Sequence, residues 1–77
     1  MIVKPLNAEA TISGPTTVSN AVVVRLYATA AGIVTNIATG GSFTMPTGSI
    51  VFLEKSPADT INATGTIEAV SVAYTIS

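Results

Sequence analysis

Glycine and proline interrupt this chain at intervals that are too short for helices of ordinary length. The interruptions fall at Gly14-Pro15, Ala31-Gly32, Gly40-Gly41, Pro46-Thr47-Gly48, Ser56-Pro57 and Thr64-Gly65. Between them Val, Ile and Thr predominate, and their branched β-carbons suit a pleated strand better than a helix. The pattern predicts an all-β fold, a small antiparallel β-sandwich or barrel of about seven short strands.

The turn residues also set the expected strand bounds. We predict strands at 9–13, 19–29, 33–38, 42–45, 49–54, 60–62 and 66–76. Residues 1–19 contain Pro5 and the Gly14-Pro15 break and are weakly patterned, so we expect an extended N-terminal arm that requires a surface to lie on. The β-sandwich domain is expected over 20–77.

Alternation along "NAVVVRLYATA" predicts which side chains face the core. Val22, Val24 and Leu26 fall on one face and form the expected core face, whereas Arg25 and Tyr27 fall on the other. As the one cation within a strongly apolar strand, Arg25 has three possible partners. These are Glu54 or Glu68 across the sheet, or a carboxylate on another subunit.

The strand "SIVFLE" is apolar on both alternations, with Ile50 and Phe52 against Val51 and Leu53. This pattern is typical of a strand covered on both sides, either within the domain or by another subunit.

The aromatic residues are spread one to a strand, and we expect them to fill the core rather than to form a platform that stacks on sugars. They are Tyr27, Phe43, Phe52 and Tyr74.

The segment "EKSPAD" concentrates charge and could be read as a catalytic cluster or as a corner. Ser56 suits a helix N-cap, Pro57 the first helical position and Asp59 the third position after the cap, which predicts a single turn of 3₁₀ or α structure. A hydrolase would use Lys55 with Ser56 or Asp59, but Glu54 and Lys55 are adjacent in a strand and point to opposite faces. We favour the structural corner and expect no enzymatic activity.

The composition limits the possible partners. The formal net charge is −1 and only 9% of residues are charged, so Lys4, Arg25 and Lys55 cannot supply the basic surface that nucleic acid requires. Cys and His are absent, which removes the usual zinc, copper and haem ligands, and no cofactor is expected. There is neither a secretory apolar core nor a run of ~20 apolar residues, so we expect a soluble chain without a membrane partner. Oligomerisation remains as the means of stabilising so small a domain.

Three stretches, "VVRLYATAAG", "FTMPTGSIVFLEKSPADTI" and "GTIEAVSVAYTIS", resemble small all-β virion structural proteins of tailed bacteriophages, notably cyanophages. The resemblance covers roughly residues 20 to 77 and rests on patterns of strand and turn. It implies a non-enzymatic protein present in many copies in the virion and assembled in the host cytoplasm. Such a protein would be clamped onto the capsid as cement or decoration, or built into the neck or tail.

The resemblance also implies which partners to expect. A decoration protein at local threefold positions would be a homotrimer that contacts the major capsid protein or other virion proteins. A carbohydrate-binding, receptor-contacting module that uses Tyr27 or Tyr74 is the alternative from another functional class. As interface residues we single out Val3, Pro5, Leu6, Arg25, Val51 and Leu53.

Overall fold

The computed structural model describes the backbone of residues 2–75 and the side chains of residues 3–73. Every regular element within these residues is a strand, which confirms the all-β class. The strands are β1 (Ile2–Pro5), β2 (Ala10–Thr11), β3 (Val23–Ala30), β4 (Gly32–Asn36), β5 (Ser42–Met45), β6 (Ile50–Glu54), β7 (Ile61–Ala63) and β8 (Thr66–Thr75). All pairs are antiparallel, and the strands form two sheets.

Sheet 1 is built around β8, the longest strand. β3 pairs with one edge of β8, and β6 pairs with the far edge of β3, so β6 is an end strand of the sheet. β1 and β2 lie in succession along the second edge of β8, with Pro5 opposite Val72 and Ala10 opposite Ala69. Residues 6–9 form a bulge, because these four residues lie opposite only two residues of β8, Val70 and Ser71. The first part of the segment predicted as an arm therefore lies along sheet 1, whereas Thr16 pairs with Ile61 of β7 in the other sheet.

Sheet 2 has the strand order β5-β4-β7. Its β4–β7 pair extends the β3–β8 pair of sheet 1. Since β3 leads into β4 and β7 leads into β8, the two central strand pairs form one antiparallel ribbon that passes from sheet to sheet. The ribbon bends where Gly32 approaches Gly65. A Cβ on Gly32 would lie 2.6 Å from the Thr64 carbonyl carbon, and one on Gly65 would lie 2.9 Å from the Ala31 carbonyl carbon. Glycine is required because any side chain would force the two chains apart.

One hydrophobic cluster contains residues of both sheets. Burial of each large apolar side chain contributes ~1.5–3 kcal/mol, so this cluster is the main stabilising feature. Its largest fully buried members are Val24, Leu26 and Ile67 of sheet 1 and Val34, Met45 and Ile61 of sheet 2. Ile12 and Val18, from the segment predicted as an arm, belong to the same cluster.

The cluster is aliphatic, and the prediction that the aromatic residues fill the core is wrong for Phe52 and Tyr27. Phe43 is half-buried and packs against the cluster. Phe52 is exposed and Tyr27 is half-buried, and neither belongs to the cluster. The side chain of Tyr74 lies outside the described residues.

A left-handed turn precedes β3. Val18, Ser19 and Asn20 have φ values of 52°, 58° and 56°, a region that costs L-residues roughly 1–2 kcal/mol each. The hydroxyl groups of Thr16 and Thr17 accept hydrogen bonds from the Val18 and Asn20 N–H groups at 3.0 and 3.1 Å. Burial of the Val18 side chain in the core also offsets this cost.

This turn corrects one core prediction. Val24 and Leu26 are buried as expected, but Val22 is 54% exposed and precedes the first residue of β3. The prediction that Val22 belongs to the core face is therefore wrong, because the strand begins after the turn rather than at residue 19.

Two of the interruptions predicted from sequence, Gly40-Gly41 and Pro46-Thr47-Gly48, are chain reversals. The Asn36 N–H donates to the Gly41 carbonyl oxygen at 2.8 Å and closes the β4–β5 hairpin, with Gly40 at φ 76°. The Ser49 N–H donates to the Pro46 carbonyl oxygen at 3.1 Å, with Gly48 at φ 84°. This second turn connects β5 of sheet 2 to β6 of sheet 1.

The predicted strands correspond to β2–β8, with bounds correct to within about four residues. β1 was not predicted, because Lys4 and Pro5 are unusual in a strand and are tolerated here at the edge of a sheet.

Candidate functional site

The charged segment from Glu54 to Asp59 forms a corner between β6 and β7. The Asp59 N–H donates to the Ser56 carbonyl oxygen at 2.9 Å, and the Ser56 N–H donates to Asp59 Oδ2 at 3.4 Å. The single turn predicted here takes the form of a β-turn at Ser56, Pro57 and Asp59, closed by this one i→i+3 bond. It does not extend into a longer helix, because the Ile61 N–H donates to the Thr16 carbonyl oxygen at 2.8 Å.

Lys55 is buried at this corner, with 6% of its surface exposed. Its Nζ donates to the carbonyl oxygens of Ser56 at 3.3 Å and Pro57 at 3.4 Å. Burial lowers the pKa of Lys55, and the nearby Asp59 carboxylate opposes this by raising it. Lys55 therefore stabilises the turn by donating hydrogen bonds to two of its main-chain carbonyl oxygens.

In the part of the chain that the structure describes, no hydrogen bond joins the side chains of Lys55, Ser56 and Asp59 to one another. A catalytic pair requires mutual contact, but the recorded bonds of Lys55 go to main-chain oxygens. Asp59 Oδ2 accepts from the Ser56 N–H and from Asn36 Nδ2, both at 3.4 Å. Within the described residues, no buried side-chain nitrogen or oxygen lacks a hydrogen-bond partner. This arrangement stabilises a turn.

The face of sheet 1 that points away from the hydrophobic cluster carries exposed apolar side chains beside charged ones, and its Val70 and Val72 are buried. Side chains at directly paired positions of neighbouring strands lie on the same face of a sheet. We call the face of sheet 1 that does not carry Val24 and Leu26 the outer face. Ile50 and Phe52 are exposed there by 51% and 40%. The outer face consists of Val23, Arg25, Tyr27, Ile50, Phe52, Glu54, Glu68, Val70 and Val72.

Arg25 forms an ion pair on the outer face, but with a carboxylate that the sequence analysis did not consider. Its Nη1 lies 2.9 Å from Glu9 Oε2, in the bulge between β1 and β2. Neither Glu54 nor Glu68, two of the three partners that the sequence left open, is bonded to Arg25 in the described residues. Glu68 instead accepts from the Thr11 hydroxyl at 2.7 Å. These contacts fasten the N-terminal segment to sheet 1.

The candidate interface residues occupy different environments. Pro5 and Leu6 are exposed, and Leu6 is 56% accessible, whereas Val3 is half-buried. Val51 and Leu53 are partly buried against the hydrophobic cluster.

The solvent-exposed apolar side chains of β6 are instead those of Ile50 and Phe52. Sequence reasoning missed this choice because "SIVFLE" is apolar on both faces. Only the pairing with Val24 and Leu26 determines which face is inside.

Leu6 and Val22 also line an open apolar cleft at one end of sheet 1. The cleft has a volume of about 760 Å³, and Val72 and Ala73 contribute to its walls. None of its described lining residues is charged, and Ser19, Asn20 and Ser71 are the polar residues beside its apolar walls.

The platform proposed for sugars is only partly described. Tyr27 lies half-buried on the outer face, and the side chain of Tyr74 lies outside the described residues. A single half-buried ring does not define a stacking surface.

The described residues contain neither a metal site nor a membrane-spanning helix. No group of three or more His, Cys, Asp or Glu residues among them could hold a metal ion. Nor do they contain a helix with the length and apolar character needed to cross a membrane. In comparisons with known proteins, no family model, no curated protein and no solved structure matched the chain.

Proposed function

We propose that this protein is a non-enzymatic structural component of a tailed-bacteriophage virion, a cement or decoration protein that stabilises the capsid by contact. Its copies assemble as homotrimers and attach to the major capsid protein or to other virion proteins. Its place of action is the phage particle, after assembly in the host cytoplasm.

The observation that carries this proposal is the amount of large apolar side chain left in solvent by so small a chain. Among the side chains of residues 3–73, six such residues are exposed by 40% or more: Leu6, Val22, Ile33, Ile37, Ile50 and Phe52. Exposed apolar surface of this kind marks sites of protein contact. The repetition of a small interface in a symmetric assembly allows such a surface to be covered many times.

We further propose that the two sheets pack as a small sandwich, with residues 1–19 as its arm. Support comes from the single cluster that contains Leu26 of one sheet and Met45 of the other. The arm contributes Ile12 to this cluster and Glu9 to the ion pair with Arg25.

The first experiment measures the protein in purified particles by quantitative mass spectrometry. Copies on the order of hundreds per particle are expected for a shell component, and about a dozen or fewer would place the protein in the neck or tail. Absence from purified particles would refute the proposal.

A second experiment adds the recombinant protein to heads that lack it. Rebinding is expected to raise the temperature at which the heads release DNA. Leu6→Ser should weaken rebinding, because it removes an exposed apolar side chain from the candidate interface. Ile37→Ser is the control, since Ile37 is also exposed but lies in the β4–β5 turn. Equal rebinding by both variants would exclude Leu6 from the contact.

A further inference from the structure

The end strand β6 leaves a row of backbone groups without partners in the described residues. The Lys55 N–H donates to the Val22 carbonyl oxygen at 2.8 Å, and the Ser49 carbonyl oxygen accepts from the Ala28 N–H at 3.0 Å. Because antiparallel bonding alternates, odd-numbered residues of β6 bond to β3. The N–H and C=O groups of Ile50, Phe52 and Glu54 therefore point outward, and we call this row the β6 edge.

The β6 edge lacks the features that normally block the addition of another strand. Exposed edges are usually protected by Lys, Pro, bulges or very short strands. The opposite edge of sheet 1 has such protection, with Lys4 and Pro5 in β1, a bulge at residues 6–9 and a short β2. β6 is instead a continuous apolar strand up to Glu54.

From this contrast we propose that two copies of the chain pair through their β6 edges, antiparallel about a twofold axis at Phe52. The axis places Phe52 opposite Phe52 of the second copy, where the two residues exchange hydrogen bonds. It places each Ile50 opposite a Glu54, so no like charges face each other. The β6 edge is therefore complementary to the β6 edge of a second copy.

Edge-to-edge pairing of two copies is favoured over stacking of two copies through their outer faces. The outer face carries Glu54 and Glu68, and its one cation, Arg25, is already paired with Glu9. Two such faces would oppose unpaired carboxylates, which disfavours contact. Edge pairing covers part of the exposed Phe52 and Ile50 surface and closes after two copies, so it does not propagate into fibres.

The β6 contact adds one specific contact between copies to the proposed function. Only the role of this contact in the virion rests on the proposed function. A twofold contact is distinct from a trimer contact and would link copies of neighbouring trimers.

The test measures the molar mass of the full chain by light scattering during size-exclusion chromatography. The wild type is expected to contain a species of twice the 7.7 kDa chain mass, or of a multiple of it where the trimer contact forms as well. Phe52→Pro removes an outward N–H and no bond to β3, so the dimer dissociation constant should rise roughly ten- to a hundredfold.

Thr44→Pro is the matched control. Because Gly41 bonds to Asn36, even-numbered residues of β5 point outward, and Thr44 is such a residue on the other sheet. This variant should associate like the wild type.

Charge pairing provides a test that leaves the backbone intact. Phe52→Lys and Phe52→Glu should each be monomeric, because like charges would meet at the axis. An equimolar mixture should recover a heterodimer.

Failure of the mixture to recover a dimer, or association of Phe52→Pro equal to that of the wild type, overturns the contact. A trimer that is insensitive to Phe52→Pro overturns the contact and leaves the proposed function intact. A dimer that is absent from purified particles refutes the function and leaves the contact standing.

Discussion

Addition of one methyl group at Gly32 tests the bend of the ribbon that joins the two sheets. The Cβ of Gly32→Ala would lie 2.6 Å from the Thr64 carbonyl carbon and 3.2 Å from the Gly65 Cα, whereas ordinary contact begins near 3.4 Å. The obstructing atoms belong to the backbone, so rotation of a side chain cannot relieve the clash. The two chains must separate, which strains the bond from the Thr64 N–H to the Ile33 carbonyl oxygen at 2.9 Å.

The expected cost of Gly32→Ala is a large part of the total stability. Overpacking costs ~1–3 kcal/mol, and loss of a hydrogen bond adds ~1 kcal/mol, so we expect about 3 kcal/mol. A chain of 77 residues has an unfolding free energy on the order of 4–12 kcal/mol. The melting temperature should fall by roughly 12–24 °C, at ~4–8 °C per kcal/mol for a domain of this size.

Urea and thermal unfolding followed by circular dichroism measure this loss, with Gly14→Ala as the control. A Cβ on Gly14 would meet nothing within 4 Å, and Gly14 does not have a positive φ. The control should be stabilised by ~0.4–1 kcal/mol, because alanine restricts the unfolded chain. If Gly32→Ala unfolds within about 0.5 kcal/mol of the wild type, the described approach of the two chains is wrong.

Three further predictions concern the core and the two charged groups. Leu26→Ala should destabilise the protein by ~2–5 kcal/mol and Val22→Ala by less than ~0.5 kcal/mol in the same unfolding assay, and equal losses would contradict the exposed position of Val22. A double-mutant cycle with Arg25→Ala and Glu9→Ala should give a coupling of ~0.2–1 kcal/mol that weakens in high salt, and zero coupling at low salt would count against the pair. Burial penalises the charged form of Lys55, so wild-type stability relative to Lys55→Met should rise with pH from the lowered pKa up to 10.5, the ordinary lysine value. A relative stability that falls over this window would show that the folded pKa is raised instead.

The strands could be predicted from sequence because local signals mark them. Branched residues fill β3 and β8, and glycine or proline stands at most of the connections, so alternation and turn chemistry were sufficient. Val24 and Leu26 were identified as core residues for the same reason. Val22 was misassigned because three consecutive left-handed residues, with branched Val18 among them, contradict local preferences.

The contacts that fasten the N-terminal segment could not be predicted, because they are distant along the chain. Glu9 reaches Arg25 only because β1 and β2 pair with β8, and Pro5 made this strand pairing unexpected. The exposed face of β6 posed a different difficulty. Ile50 and Val51 are equally apolar, and nothing within the strand specifies which of them faces inward.

Several of the few charged and amide side chains of this protein close irregular stretches of its own backbone. Asn7 Oδ1 accepts from the Ser71 N–H at 2.8 Å and replaces a strand bond within the bulge. The Arg25–Glu9 pair holds the same bulge, and Lys55 gathers the carbonyl groups of the corner. These groups are occupied internally, and the surface also presents exposed apolar side chains and an open strand edge. Both interact through contact area and backbone hydrogen bonding, which suits a protein that is repeated in an assembly.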